Sequence, residues 1–323
     1  MNPGGTTASV VVVTYKRPDH VRTCLQHIAG QSVLPLETVV VDASPDDETY
    51  EVVDGEFPAV RYLRNPFGAG SMATSREIGL RAVRADVVVF IDDDAYARDE
   101  WLSELLVPYA DPAVGGVGGR AARGRPGEEH EGAGQIGMFL PNGALTGNFA
   151  ADPGYPIDVD HLPGTNMSYR RDVLIDLGGI HDSYPGTCLR EDSDIALRVR
   201  QAGYRLIYNP RSCVDHVVGP YATGHRFDLR YTYYGQRNHV VLLTRVVGRR
   251  APQFRRYLGV GARGALAELG RAARGLRDLP EQGVAATART AADGTVRAAA
   301  IGGGLACGLV AGRRGPRSTG GRR

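Results

Sequence analysis

The most constraining feature is a set of β-branched runs with no polar alternation. Residues 9–14 read SVVVVT, 37–42 ETVVVD and 86–91 DVVVFI. A strand that is apolar at successive positions is buried on both faces, which requires helices above and below a sheet. The intervening segments supply them. Pro18 opens a helical stretch over 19–29, with Val21, Leu25 and Ile28 at helical spacing. Residues 46–53 read as a short helix, 60–63 as a short strand, and 71–83 as a helix with Met72, Ile78, Leu80 and Val83. This alternation predicts an α/β, Rossmann-like, doubly wound domain with a mostly parallel central sheet flanked by helices. Ligands of such sheets bind at the carboxyl ends of the strands. Asp42 and Asp92–Asp94 fall at two of those ends.

The rest of the chain is less regular. Residues 99–110 predict a helix and 113–121 a glycine-rich strand. Residues 122–162 predict a long irregular segment, of the kind that is functional or mobile. Helices follow over 171–177 and 191–201, the second stopped by Gly203, then a strand over 204–208 and an aromatic, basic helix over 227–248. From 251 the composition shifts to Ala, Gly and Arg. Weak amphipathic helices and a disordered end from about Arg313 are expected there. The 323 residues thus divide into a domain at 1–250, with a nucleotide-binding half (8–95) and an acceptor or catalytic half (96–250), and an extension at 251–323.

The net charge of +2 conceals an asymmetry. Residues 251–323 hold 13 Arg and 4 acids, a net of +9, leaving −7 on residues 1–250. An acidic body with a basic tail suggests contact with an anionic membrane surface. Lys16 is the single lysine among 38 basic residues. The preference for Arg therefore carries no chemical message. The four scattered cysteines lack any C-x-x-C spacing and predict reduced, buried thiols. Residues 1–9 lack a charged leader, and the longest apolar run, 298–312, falls short of a bilayer span. The expected location is cytoplasmic, with peripheral contact at the inner face of a membrane.

Two acidic clusters carry the chemistry. Asp92, Asp93 and Asp94 follow a buried strand, where three carboxylates repel one another unless a cation is present. Mg²⁺ or Mn²⁺ shared with a diphosphate is the natural partner; a solvated turn is the structural alternative. Glu191, Asp192 and Asp194 open a helix. There they complement the helix dipole, or one of them serves as a general base. Thr14 and Tyr15 after the first strand, with Asp42 after the second, outline a crevice of nucleotide size. No G-x-G-x-x-G or P-loop pattern occurs, so a diphosphate would rely on metal and arginine, with Arg76 the candidate.

In order, the segments VVVVTYKRP, VVVDAS, SREIGL, VFIDDD, GTNMSYRR and LREDSDIALR resemble the family 2 glycosyltransferases of GT-A fold, over roughly residues 8–245. The resemblance implies an inverting enzyme that moves a sugar from a nucleoside-diphosphate sugar to an acceptor hydroxyl. A UDP-sugar is expected first, with dTDP- and GDP-sugars as alternatives. The acceptor is left open among glycans, lipid-linked and small natural products. Residue by residue, it places Thr14, Tyr15, Arg17 and Asp42 at the base and ribose, and Arg76 near the diphosphate. Asp93 falls among the donor contacts. Ser75 and Glu77 depart from the usual A-R-N-x-G pattern around Arg76. Asp92 and Asp94 match the D-x-D pair, with Asp94 the metal ligand, Asp92 nearer the ribose and His216 a further ligand. Gly164 and Asn166 match the strand lining the sugar pocket. Asp192 matches the catalytic base, and Glu191 buttresses it or touches the acceptor.

Two rival readings share a carboxylate site: a sugar-nucleotide nucleotidyltransferase and a non-catalytic nucleotide-sugar-binding protein. The first would place a Gly-rich basic loop where TYKRPD stands. The second has no use for both acidic clusters. D-D-D-A-Y excludes a D-x-D-x-T phosphatase. The acidic body excludes a nucleic-acid partner.

Overall fold

The computed structural model describes residues 5–217, 228–277 and 284–313. The first half runs β1 (Ala8–Thr14), α1 (Pro18–Ala29), β2 (Glu37–Asp42), α2 (Glu48–Glu56), β3 (Val60–Arg64), α3 (Met72–Ala82) and β4 (Val87–Asp92). A short strand β5 (Ala95–Ala97), helix α4 (Trp101–Leu106), a 3-10 turn (Val107–Ala110) and β6 (Val114–Ala122) follow. Then come β7 (Ile157–Asp158), β8 (Asn166–Arg170), α5 (Arg171–Asp176), α6 (Glu191–Gln201) and β9 (Arg205–His216). Three helices complete the described chain: α7 (Leu229–Val246), α8 (Pro252–Arg277) and α9 (Val284–Ala311).

The strands form one sheet in the order β3-β2-β1-β4-β8-β6-β9-β5, with β7 paired to β9. The β-branched runs are buried as expected. Val10, Val12, Val40, Val89 and Ile91 pack on one face, and Val11, Val13, Val39, Val41, Val88 and Phe90 on the other. The parallel arrangement holds over β3-β2-β1-β4. Beyond β4 the sheet is mixed: β8 is antiparallel to both β4 and β6, and β5 and β7 are antiparallel to β9. The reason is in the chain between β6 and β8. No helix lies there, and β6 and β8 are joined without the helical crossover that usually links parallel neighbours.

β9 is longer than its sequence suggested. Asn209-Pro210 reads as a strand end, but pairing with β6 jumps from Gly119↔Asn209 to Arg120↔Cys213. The intervening residues bulge out, where a proline without an N–H is tolerated. The strand then resumes and delivers His216 to the sheet end. Gly119 makes the bulge fit, since a Cβ there would collide with the Ser212 carbonyl and the Asn166 amide. Gly119→Ala is expected to cost about 2–3 kcal/mol through backbone overpacking. Thermal unfolding should register that as a fall of roughly 5–10 °C in Tm.

The extension is packed rather than loose. Phe254 and Tyr257 of α8 are buried with Val240 and Leu243 of α7. The Tyr257 ring stacks on His239 with centroids 4.0 Å apart. α9 meets α7 along a row of small residues. A Cβ on Gly304 would lie 2.5 Å from the Tyr233 carbonyl, and one on Gly308 2.7 Å from Val240. On Gly312 it would lie 2.8 Å from the Thr244 hydroxyl. The reading of this region as too short for a bilayer span is corrected: Ala291–Ala311 is a 21-residue stretch of mean hydropathy 1.4, long and apolar enough to cross a membrane. The sequence concealed it because Asp293 and Arg297 interrupt the run, yet they pair within the helix at 3.1 Å. Cys24, Cys188 and Cys213 are buried free thiols, whereas Cys307 on α9 is exposed. The disordered end expected from about Arg313 lies, beyond that residue, outside the described chain.

Candidate active site

A cavity of about 640 Å³ opens at the carboxyl ends of β1 and β4, where the strand order reverses direction. Sheet register brings its parts together. Thr14 lies beside Asp42, and Val13 beside Asp92. Thr14, Tyr15 and Arg17 line the cavity with Arg76, Asp92, Asp94, Gly164, Glu191, Asp192 and His216. Most of the residues singled out in the sequence therefore share one space.

The aspartates divide their work. Asp93 is fully buried and turned away from the cavity, accepting from the Thr14 hydroxyl at 2.6 Å and pairing with Arg17 at 2.8 Å. Burial pushes its carboxyl up to about 8, against the pull of Arg17. Asp94 pairs with the other Arg17 nitrogen at 2.8 Å and lies 3.6 Å from Nε2 of His216. Asp92 accepts from Arg76 at 2.9 Å, and burial raises its pKa in spite of that arginine. Arg76 itself is 1% exposed. It donates to the Gly164 carbonyl at 2.8 Å and forms an ion pair with Glu191.

Besides Asp93, which was expected among the donor contacts but is spent on Thr14 and Arg17, two more expected donor contacts are placed elsewhere. Asp42 is fully buried, and its oxygens accept from the Ser44 amide and hydroxyl and, at 2.8 Å, from the Tyr62 hydroxyl. It organises the turn after β2 rather than facing the cavity. Asn166 is also fully buried; it accepts from the Trp101 indole and donates to the Arg120 and Ser212 carbonyls. It pins the β6–β9 bulge and does not reach the cavity. A polar residue in a motif reads alike whether its partner is a ligand or a neighbouring strand.

The α6 acids also separate. Glu191 is 3% exposed and tied to Arg76. Asp194 is buried against Tyr184 and Arg198. Asp192 is half-buried, with one oxygen held by the Ser193 amide at 2.7 Å. Its other oxygen faces Gly164, where a Cβ would lie 3.4 Å away. Among the described residues no Arg or Lys pairs with Asp192. Of the three, it is the one that lines the cavity without an arginine partner among the described residues.

Sequence reasoning missed His161, which lines the cavity from within the irregular segment. One ring nitrogen bonds the Thr146 carbonyl at 2.7 Å, and the other is 3.5 Å from the Ser193 hydroxyl. Burial lowers its pKa to about 4, so the ring is neutral at physiological pH. No periodicity or motif marks it. Residues 145–149 of the same segment, with Asp228 and Tyr231 at the start of α7, form another wall of the cavity.

The donor set suits a hard cation: the carboxylates of Asp92 and Asp94 and the imidazole of His216, at a place where burial makes unneutralised carboxylates costly. Among the described residues no ready-made cluster of three His, Cys, Asp or Glu ligands is gathered. An ion held here would complete its shell with phosphate or water oxygens.

The model of glycosyl transferase family 2 matches residues 9–178, more than half of the chain. The chain belongs to that family. It is a glycosyltransferase. It is 28% identical over 229 residues to the glucosyl-dolichyl phosphate glucuronosyltransferase of Haloferax volcanii, covering 67% of this chain and 70% of that one. It is 27% identical over 216 residues to the pre-mycofactocin glycosyltransferase of Mycobacterium tuberculosis, covering 66% of this chain but 43% of that one. In structure it is similar to the mannosyltransferase PcManGT of Pyrobaculum calidifontis, solved with GDP-Man and Mn²⁺. That likeness has a TM-score of 0.63 at 20% identity, over 95% of this chain and 88% of that chain. The glycosyltransferase thus has the GT-A fold expected of it.

Proposed function

We propose that this glycosyltransferase takes a sugar from a nucleoside-diphosphate donor and passes it to an acceptor hydroxyl with inversion, using Asp192 as its single base. The observation that carries the reading is the separation of the two α6 carboxylates. Glu191 is bound to Arg76, while Asp192 faces the cavity that Asp92 and Asp94 share. Solved neighbours of this fold hold GDP-Man or UDP with Mn²⁺, which supports a nucleotide-sugar donor. Thr14, Tyr15 and Arg17 would hold the nucleoside, and Arg76 the diphosphate. Asp94 and His216, with Asp92, would hold Mg²⁺ or Mn²⁺. When bound, the ion offsets the charge that develops on the departing diphosphate. Asp192 takes the acceptor proton as attack proceeds from the opposite side, with no covalent intermediate. Purified protein tests the donor class directly: UDP-, dTDP- and GDP-sugars are each assayed for thermal shift and transfer. A panel without any binder overturns the reading.

The basic extension supports a second proposal, peripheral contact with an anionic membrane at the inner face of the cell membrane. Arg255, Arg263 and Arg274 are exposed along α8, next to exposed Leu266 and Leu269. Each arginine near such a surface contributes about 1 kcal/mol, screened by salt. Changing all three to Gln is expected to weaken binding to phosphatidylserine-containing vesicles about 10-fold or more and to flatten its salt dependence. Co-sedimentation measures this, and equal binding by both proteins removes the membrane role. Deleting the whole extension is a poorer test, because Phe254 and Tyr257 leave the core with it.

A further inference from the structure

We propose that the acceptor carries a phosphoryl group, and that Arg190 and Thr187 receive it on the acceptor side of the cavity. The inference rests on the sugar-transfer reading above.

Arg190 stands at the N-cap of α6, directly before Glu191 and Asp192, with φ at +85°. A non-glycine residue is rare there and persists only when its surroundings hold it. The side chain lines the cavity, and its Nε is buried without a hydrogen bond. Among the described residues no carboxylate pairs with it. The contrast with its neighbours is informative: Arg17 is matched by Asp93 and Asp94, and Arg76 by Asp92 and Glu191. A partly buried guanidinium without a counter-ion is costly, and an anion entering the cavity removes that cost.

A second orphan lies three residues earlier. The Thr187 hydroxyl is buried, lines the same cavity and makes no hydrogen bond. A guanidinium and a hydroxyl together present the donor-rich surface that a phosphoryl group, with several acceptor oxygens, satisfies best. The positive charge of Arg190 reaches His161, His239 and Tyr257, which sets it beside α7, α8 and the irregular segment. Arg123 and Arg230 line the same cavity. The donor diphosphate is assigned to Arg76 and the aspartates. Arg190 stands two residues before Asp192 and lines the same cavity; with Asp192 as the base beside the nucleophilic oxygen, the group that Arg190 holds is assigned to the acceptor.

The test is calorimetric titration with the donor side filled by saturating UDP. The probes are glycerol 3-phosphate against glycerol, and octyl phosphate against octanol. The phosphorylated member of each pair is expected to bind more tightly. Arg190→Gln should weaken it about 10-fold or more and Thr187→Val about 3-fold, with UDP affinity unchanged. Arg190→Lys should fall between wild type and Arg190→Gln, which guards against a folding defect. Preference for octyl phosphate identifies a lipid-linked acceptor, and preference for glycerol 3-phosphate a soluble one; both support the inference. It is overturned if neither phosphate outbinds its neutral analogue, or if Arg190→Gln retains full phosphate affinity. Failure of the wild-type protein to bind UDP instead strikes the donor reading, because the phosphate comparison is then repeated without nucleotide.

Discussion

Asp192→Asn is expected to lower kcat by roughly 10²–10⁴ while leaving nucleotide-sugar affinity nearly intact, the signature of a lost general base. The geometry makes the substitution clean. The oxygen that accepts from the Ser193 amide at 2.7 Å can be reproduced by the asparagine carbonyl. Only the oxygen facing Gly164 loses its capacity to take a proton. Glu191→Gln should behave differently. Its carboxylate holds Arg76, which in turn holds Asp92 and the Gly164 carbonyl. Donor KM should therefore rise more than kcat falls. Tm should drop as well, because a buried arginine loses one of its charged partners. Steady-state kinetics with varied donor, alongside thermal unfolding of both variants, separate the roles. Near-normal turnover by Asp192→Asn with an inactive Glu191→Gln would move the base by one residue.

The second large effect is on metal dependence. EDTA is expected to abolish transfer, with Mg²⁺ or Mn²⁺ restoring it, and Asp94→Ala should reduce kcat/KM by about 10²–10³ or more. The same variant removes a partner of Arg17 at 2.8 Å. Nucleotide binding should then become insensitive to added Mn²⁺, which titration calorimetry reads without any turnover. Full activity in EDTA would take the ion out of the mechanism.

The β1–β4 half of the molecule was legible because its rule is local. A run such as Val10–Val13 can be buried on both faces only in a covered sheet, and three strands, β1, β2 and β4, follow from that argument. Helix α6 was legible to its end residues, since Glu191 starts it and Gly203 stops it. The β8–β6–β9 side was not. Its antiparallel pairings join residues far apart in sequence, and the Pro210 bulge reads as a strand end. His161 and Thr187 were hidden for a related reason. They lie outside regular repeats, in segments whose course is set by contacts made elsewhere, such as the Tyr208 hydroxyl on the Phe149 and Ala151 carbonyls. Asp42 and Asn166 illustrate the converse: the motif marked them, but its chemistry is consumed within the fold.

The row formed by Gly304, Gly308 and Gly312 sets how this protein tolerates change. A saturation map of α9 would carry a four-residue beat, intolerant at those three positions and permissive at exposed Val296 and Val310 between and around them. Gly308 presses on Val240, whose chain neighbour His239 bonds the Gly143 carbonyl at 2.7 Å. A bulky residue on the far helix would thus be felt as a displaced cavity wall, and some variants scored as inactive would have their lesion well away from any reacting atom.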